Sequence, residues 1–556
     1  MVPRYISIDT AVSRLLSWLQ SCEQAHTSCT TGETILPPRV LDISGDMARL
    51  VEFQNDETPY GVYVTLSHCW GDPNKSKPTT TTKTTLDSRK AGIAYDDLSP
   101  VFRDAIQLCK GVGCGYIWID SLCIIQDDIS DWMTQSQKMA QIYSNAHFNI
   151  AATLSPDSTQ SLFQERWSLG ASDDLTRYPV LTHEVEVSST ANRHVYTRLS
   201  HQRDHYYVQL SMADGRSAQA PLTGRAWVFQ ETLLARRVLH VCASELIWEC
   251  KTLYTCECGS IGSPFQQKPT GPTPIEPNNS LATPLRKQEF AQICDSLRST
   301  QAAHDFWLTA VNHYASLHLT RPSDRAAALA GLANAIQGVT DGEYCAGIWI
   351  DDLARSLLWA RIPGTEAGAS RSNVAPTWSW MSMQTRDGAC NISYGFLLIR
   401  DFRQELTTTI HSLINPSTST PSKESGDIPS EVIFQGPAIS ARVVAISGPT
   451  TPKFYLRPTS DYFESSGPGN FEMEADCPND PSESLQDGAM VECLLVGTGK
   501  KNTMYQYILV VRKYGPGTGV DSYYKRIGVC RLICPGFLSR NRGYFKDAEI
   551  KTIKII

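Results

Sequence analysis

A carboxylate spaced one helical turn from an indole is the arrangement in this chain best suited to acid–base chemistry. Glu231 follows Trp227 by four residues and precedes Leu234 by three, so a helix sets all three on one face. Beside an indole the carboxylate is partly desolvated and its pKa rises, which suits proton transfer or the holding of a ribose hydroxyl. The competing reading is a structural ion pair with Arg225, Arg236 or Arg237. Two further clusters follow apolar runs: Ser67-His68-Cys69, and Asp120 with Ser121, Cys123, Gln126, Asp127 and Asp128 behind it. Both mark strand ends, and in open parallel sheets ligands settle beyond the carboxyl ends of the strands. Capping of neighbouring helices and loops would account for Asp120 and Ser67 equally. His68 and Cys69 are chain neighbours that point to opposite faces of a strand, so a Cys/His nucleophilic pair would need another partner, such as Cys123 for His68.

Soft ligands occur in two places, Cys22-x3-His26-x2-Cys29 and Cys250, Cys256 and Cys258. Structural zinc takes four ligands, commonly with a close cysteine pair, and neither cluster fits alone, although the two could combine. Packing is the expected role, and no metal site is assigned. Trp359, Trp378 and Trp380 read as core. No phosphate-binding loop of the G-x-x-x-x-G-K-[ST] type occurs. Lys110 to Gly115 falls at the end of a helical pattern and reads as a C-cap turn.

The elements that must position these residues alternate strand and helix, the pattern of a mainly parallel α/β sheet. Val62, Val64 and Leu66 share one face of a strand, and Tyr116 to Asp120 is a second strand adjacent to it. Between them a helix starts after Ser99 as N-cap, with Pro100 at its first position and Gly111 at its end. Another begins near Ser130 and buries Trp132, Met139 and Tyr143, and His147 to Thr153 forms a third strand. Residues 259–284 and 415–430, rich in Pro, Gly and Ser, read as linkers. The intervening 285–414 is expected to be mainly helical, 431–556 to be an antiparallel β-rich domain, and 461–487 within it to be an acidic surface loop.

With 556 residues the chain exceeds one core and is expected to hold roughly three or four domains. A net charge of −7 argues against a basic surface for nucleic acid. No apolar run approaches a membrane span, and the N-terminus lacks a signal-peptide core. The 17 cysteines are scattered, many in apolar runs, as reduced cytoplasmic cysteines are.

Four blocks then carry a family resemblance. Tyr63-Val-Thr-Leu-Ser-His-Cys-Trp-Gly71 is followed by Tyr116-Ile-Trp-Ile-Asp-Ser-Leu-Cys-Ile-Ile-Gln-Asp127, by Met139-Ala-Gln-Ile-Tyr-Ser-Asn-Ala146, and by Arg225-Ala-Trp-Val-Phe-Gln-Glu231 with Arg236. In this order they resemble the fungal HET (heterokaryon incompatibility) domain, placed at 61–258 after a lead-in of 1–60. Ala226 stands where the family commonly has Gly. The resemblance implies a role in non-self recognition and regulated cell death, with possible homo-oligomers or other incompatibility proteins as partners. It also implies remote kinship to TIR domains, some of which cleave NAD and carry a glutamate in W-C-x-x-E spacing. Trp227 to Glu231 has that spacing, with Val228 in place of the Cys. Under it, Glu231, Asp120, His68 and Cys69 are the catalytic candidates. Ser67, Trp70, Cys123, Gln126, Asp127, Trp227 and Arg225 are the ligand-binding ones. No cofactor is expected, with NAD a candidate substrate. Two other readings stay open: a tailoring enzyme of fungal secondary metabolism using the same cleft, and a non-catalytic module that works by homotypic assembly.

Overall fold

The computed structural model describes residues 5–30, 32–53, 58–72, 74–75, 78–169, 178–188, 191–198, 220–259, 285–295, 299–362, 369–385, 388–395, 402–403, 409–414, 431–446, 452–459, 471–479, 485–500, 504–514, 522–534, 545 and 548–556. Both sequence-expected linkers, except Gly259, lie outside these residues. The chain divides into two compact units, 1–298 with 327–336, and 299–326 with 337–556.

The first unit is built on a nine-stranded sheet. Its strands in chain order are β1 (Arg39–Asp42), β2 (Met47–Glu52), β3 (Tyr63–Ser67), β4 (Ile93–Ala94) and β5 (Tyr116–Ile119), then β6 (Asn149–Ala151), β7 (Arg237–Val241), β8 (Leu246–Cys250) and β9 (Tyr254–Cys256). Spatially they run β9-β8-β7-β6-β3-β5-β1-β2-β4. The pairings β7–β6, β6–β3 and β3–β5 are parallel. All the others are antiparallel. The expected adjacency of β3 and β5 is present, but the sheet is mixed, with a parallel centre of four strands. On one flank β7, β8 and β9 are joined by short connections, which need no crossover helix. On the other, β1 and β2 come from the lead-in, with β1 paired to β5, and β4 (Ile93–Ala94) adds the outer edge.

Helices cover both faces. They are α1 (Ile8–Ala25), α2 (Pro100–Gly111), α3 (Ile129–Asn145), α4 (Ala226–Leu234) and α5 (Lys287–Asp295). Every residue of β3 is buried, as a strand sandwiched between helix layers must be. Tyr63, Thr65 and Ser67 face the α3 side, where the Tyr63 hydroxyl donates to the Ile142 carbonyl at 2.7 Å. Val64 and Leu66 point the other way, in phase with His68, whose ring meets Phe102 of α2 edge-on at 5.0 Å. Asp128 caps α3 through the amides of Ser130 and Asp131. Helix α2 starts at Pro100 as expected, yet the buried Ser99 hydroxyl makes no cap bond. Gly111 is the last residue of the helix, as expected, and it also allows close packing: a Cβ there would meet Val12 of α1 at 2.4 Å. The turn itself uses Gly113, at φ +78°.

In the second unit α6 (Thr300–Tyr314) is capped by Ser299. The fully buried Trp307 and Trp380 both donate to the Gly347 carbonyl, at 3.1 and 2.9 Å. Helix α7 (Ala327–Thr340) spans the division between the units. Beyond it, short of the expected 414, the described residues hold only short helical turns, the longest Leu353–Ser356. From Tyr344 the chain forms two-residue strand pairs punctuated by Gly and Pro. The C-terminal region is β-rich. Its strands β10 (Glu431–Ile446), β11 (Lys453–Pro458), β12 (Phe471–Ala475), β13 (Met490–Lys500), β14 (Met504–Tyr514), β15 (Tyr523–Cys534) and β16 (Glu549–Ile555) pair antiparallel except β15–β16. Because β10 pairs with both β11 and β13, the ring of strands closes. Strand β12 lies inside the segment expected to be a loop. Its buried Phe471, Met473 and Ala475 alternate with Glu472 and Glu474, so the acidity there is the outer half of a strand.

Close helix packing in the first unit rests on Gly331. A Cβ there would meet Ala140 of α3 at 2.3 Å and Leu234 of α4 at 2.9 Å. The Gly331 amide also donates to the Gln230 side chain at 2.7 Å. Gly331→Ala should therefore lower stability by about 1–3 kcal/mol despite its better helix propensity. Urea unfolding measures this, and an unchanged midpoint would contradict the close approach.

Candidate functional site

Four chain segments meet at the carboxyl ends of the central parallel strands. Ser67 is the last residue of β3, and His68, Cys69 and Trp70 follow it. Asp120 directly follows β5 and opens a helical turn, Asp120–Cys123. Asn149 lies on β6, and Glu231 sits on α4. Since α4 keeps Trp227 and Glu231 on one side, the carboxylate reaches under the sheet edge while the half-buried indole packs on the core, edge-on to Trp132 at 6.4 Å.

Two linked polar groups result. In the first, the Ser67 hydroxyl makes a short hydrogen bond to Glu231 Oε2. The Asn149 amide donates to Ser67 Oγ at 3.0 Å, while Asn149 Oδ1 accepts from Thr65 at 3.0 Å. In the second, Asp120 accepts from the Trp70 indole at 2.9 Å and meets His68 Nε2 at 3.0 Å. His68 Nδ1 lies 3.1 Å from the Cys69 carbonyl. Each ring nitrogen thus faces an oxygen acceptor, and both bonds are made when His68 carries two protons. Arg225 closes the group by donating to the His68 carbonyl.

The two carboxylates are driven apart in acidity. Burial pushes Glu231 up to about 7; the Asp120 charge adds to the rise, against the Ser67 bond, Arg225 and Tyr143. Burial also opposes ionisation of Asp120, but His68, Arg225 and the Trp70 bond together hold it below the usual carboxylate range. One group is a stable anion and the other is poised near neutrality, the division of labour that acid–base sites use. The ion pair weighed for Glu231 does not form among the described residues. Arg236 donates to the Ser144 carbonyl at 2.7 Å. Arg237 is taken by the carbonyls of His147 and Cys29 and by Cys22 Sγ.

Not every candidate joins the group. Cys69 is buried among Ala151, Leu222 and Val228, and burial raises its thiol to about 11. Cys123 is fully buried in the main core, with its thiol pushed up to about 12 by burial. Both His68 nitrogens are engaged elsewhere, so neither thiol is paired with a base. Gln126 donates to the carbonyls of Asp120 and Ile124, at 3.1 and 3.0 Å, and braces the loop. Asp127 is exposed and accepts from the Lys83 amide at 2.8 Å, tying down a neighbouring loop. Asn149 and Tyr143 were not singled out as site residues. A lone amide in the apolar run His147 to Thr153 was the available signal for Asn149; Tyr143 looked like any core aromatic.

Residues 63–231, from the start of β3 to Glu231 itself, match the family model described as Heterokaryon incompatibility protein (HET). The matched span holds the site residues Ser67 to Trp70, Asp120 and Glu231, and leaves out the flanking strands at 39–52 and 237–256. No curated protein and no solved structure matches the chain.

The raised Glu231 pKa has a signed consequence for stability. Unfolded, this carboxyl ionises near its ordinary value of about 4.3, so above that pH the unfolded chain binds fewer protons than the folded one. Stability falls as pH rises from there to about 7, by roughly 3–4 kcal/mol in all. Glu231→Gln removes this penalty. Denaturant titrations at pH 5 and pH 8 should show the variant gaining on the wild type as pH rises. A pH-independent difference would mean that Glu231 ionises normally.

Proposed function

We propose that this HET-domain protein is an effector of fungal non-self recognition that triggers regulated cell death through acid–base chemistry at Glu231. The observation that supports it is a buried carboxyl near half-ionised at neutral pH, hydrogen-bonded to Ser67 and electrostatically coupled to the Asp120–His68 pair. The proposed substrate is a pyridine dinucleotide such as NAD. Asp120, one-fifth exposed, and the half-buried Trp70 would face the ligand, with the buried Glu231 meeting its ribose.

In this reading the ionised Glu231 accepts a bond from a ribose hydroxyl and stabilises the positive charge that develops at the anomeric carbon. The bond from that carbon to the nicotinamide nitrogen breaks with its electron pair leaving on nicotinamide. Water then adds to the carbon and passes its proton to Glu231, giving ADP-ribose. Aligned charge stabilisation of this kind is commonly the largest single contribution to rate. The spacing of Trp227 and Glu231, similar to the TIR glutamate motif, adds to the case without deciding it.

Inducible expression of the wild type and Glu231→Gln, with metabolite profiling, tests the proposal. The wild type should deplete NAD and kill the host. The variant, folded, should turn over about a hundredfold more slowly, near 3 kcal/mol of lost transition-state stabilisation. Depletion of another metabolite with NAD intact would point to a tailoring enzyme. Toxicity undiminished in a folded variant would point to assembly without catalysis.

A further inference from the structure

The second concentration of reactive side chains lies away from the strand ends, where the tail of α1 meets the β8–β9 turn. Cys22 occupies the last turn of α1, His26 caps that helix, and Cys29 ends the following 3-10 turn. This wrap brings the two sulfurs and the imidazole together at the helix end. The fourth member, Cys250, is the last residue of β8. The ligand atoms of Cys22, His26, Cys29 and Cys250 all lie within 4.8 Å of one another. Cys250 Sγ sits 3.4 Å from His26 Nδ1 across 224 residues of chain.

These separations suit one ion at the centre. With metal–sulfur bonds of about 2.3 Å and metal–nitrogen bonds of about 2.0–2.1 Å, the ligand atoms of a tetrahedral zinc stand roughly 3.5–3.8 Å apart. Three thiolates and one imidazole are soft and borderline ligands that favour zinc over magnesium or calcium. The surroundings support anionic sulfur. The Thr252 and Leu253 amides both point at Cys250 Sγ, at 3.4 and 3.2 Å, and the buried Arg237 donates to Cys22 Sγ at 3.3 Å. Gln288 donates to the Cys250 carbonyl at 2.7 Å and holds the turn. Three thiolates around a divalent ion leave one net negative charge, which the Arg237 guanidinium offsets. Beside this group Trp18 of α1 stacks on Trp248 of β8 with centroids 6.1 Å apart, packing the helix against the strand that carries Cys250.

We propose that Cys22, His26, Cys29 and Cys250 bind one zinc ion that pins the N-terminal helix to the β8–β9 turn of the sheet. All four positions are filled by protein, so the site is structural and closed, with no place for a reacting water. The nearby trio of Glu245, Cys256 and Cys258 supplies only three ligands and is not part of the proposal.

The test uses the full chain, purified without chelator, with elemental analysis by mass spectrometry. About one zinc per chain is expected. Replacement by cobalt(II) should give the intense visible bands of a tetrahedral ion and the ultraviolet thiolate charge-transfer band. Cys22→Ser with Cys29→Ser should lose the metal and lower the melting temperature, whereas His26→Cys, which keeps four ligands, should retain both. Cys294→Ser, outside the cluster, should leave zinc content unchanged. A wild-type protein with negligible metal that takes up no cobalt would overturn the proposal whatever the variants do. So would a disulfide joining two of these cysteines in the folded protein.

Discussion

Parallel strands buried on both faces can be joined only by connections that cross the sheet, and this requirement organises the first unit. Strands β3, β5, β6 and β7 all run the same way, so their carboxyl ends lie on one edge and each is followed by a loop opening there. Ser67 to Trp70 and Asp120 to Cys123 are brought together by this topology and not by sequence proximity. Helix α4 enters before β7 and lays Glu231 against the end of β3. Shifting β3 by one residue would turn Thr65 and Ser67 away from Asn149 and Glu231, and would point Val64 and Leu66 at a polar group. The register of the central strands and the composition of the site are therefore one constraint.

The polar group at this edge is tolerated because nearly every member is paired. Asn149 is fully buried on a central strand, where an unpaired amide would carry a large desolvation penalty. It is satisfied by Thr65 and Ser67, and Ser67 in turn bonds Glu231. Glu231 is the member whose solution is incomplete: among the described residues it has hydrogen-bonding neighbours but no ion-pair partner. Its raised pKa expresses that imbalance. Asp120, two strands from β6 and partly exposed, has a cationic-capable neighbour in His68 and remains an anion. Neighbouring carboxyls thus differ in acidity for a local reason, the presence or absence of a paired partner in a buried place.

The C-terminal region meets a different constraint. An antiparallel sheet has exposed edges that invite pairing with other chains. Here β10 is long enough, at 16 residues, to pair with β11 along one part and with β13 and β16 along others. Ring closure pairs each of β10 to β15 on both sides, leaving only the short strands 402–403 and 409–414 at the edges among the described residues, and a core of Val443, Leu456, Cys493, Ile508 and Val510 fills the interior. In the same unit Asp476 and Arg526 are both wholly buried and bonded at 3.0 Å, with Arg371 also on Asp476 at 2.7 Å. A buried carboxylate persists there because two guanidiniums meet it, the compensation that Glu231 lacks.

Local signals were legible wherever periodicity and capping residues agree. The strands at 63–67 and 116–119, the helix beginning at Pro100 and the C-cap turn at Lys110 to Gly115 follow from alternating apolar residues, a fixed proline φ and glycine. Trp227 and Glu231 could be placed on one helix face from their spacing alone. The strand order could not be read in this way, because β1 and β2 of the lead-in look like any short amphipathic strands until β1 pairs with β5. Nor could the partners of long-range polar groups: Asn149 differs from a surface amide only by what surrounds it, and Cys123 differs from a nucleophile only by its burial. Cys250 stands closer in sequence to Cys256 and Cys258 yet packs beside Cys22, His26 and Cys29. Residue type and spacing determine which way a side chain points on its own element. Which groups it meets depends on how strands hundreds of residues apart are stacked, because burial and pairing arise only when separate segments exclude water together.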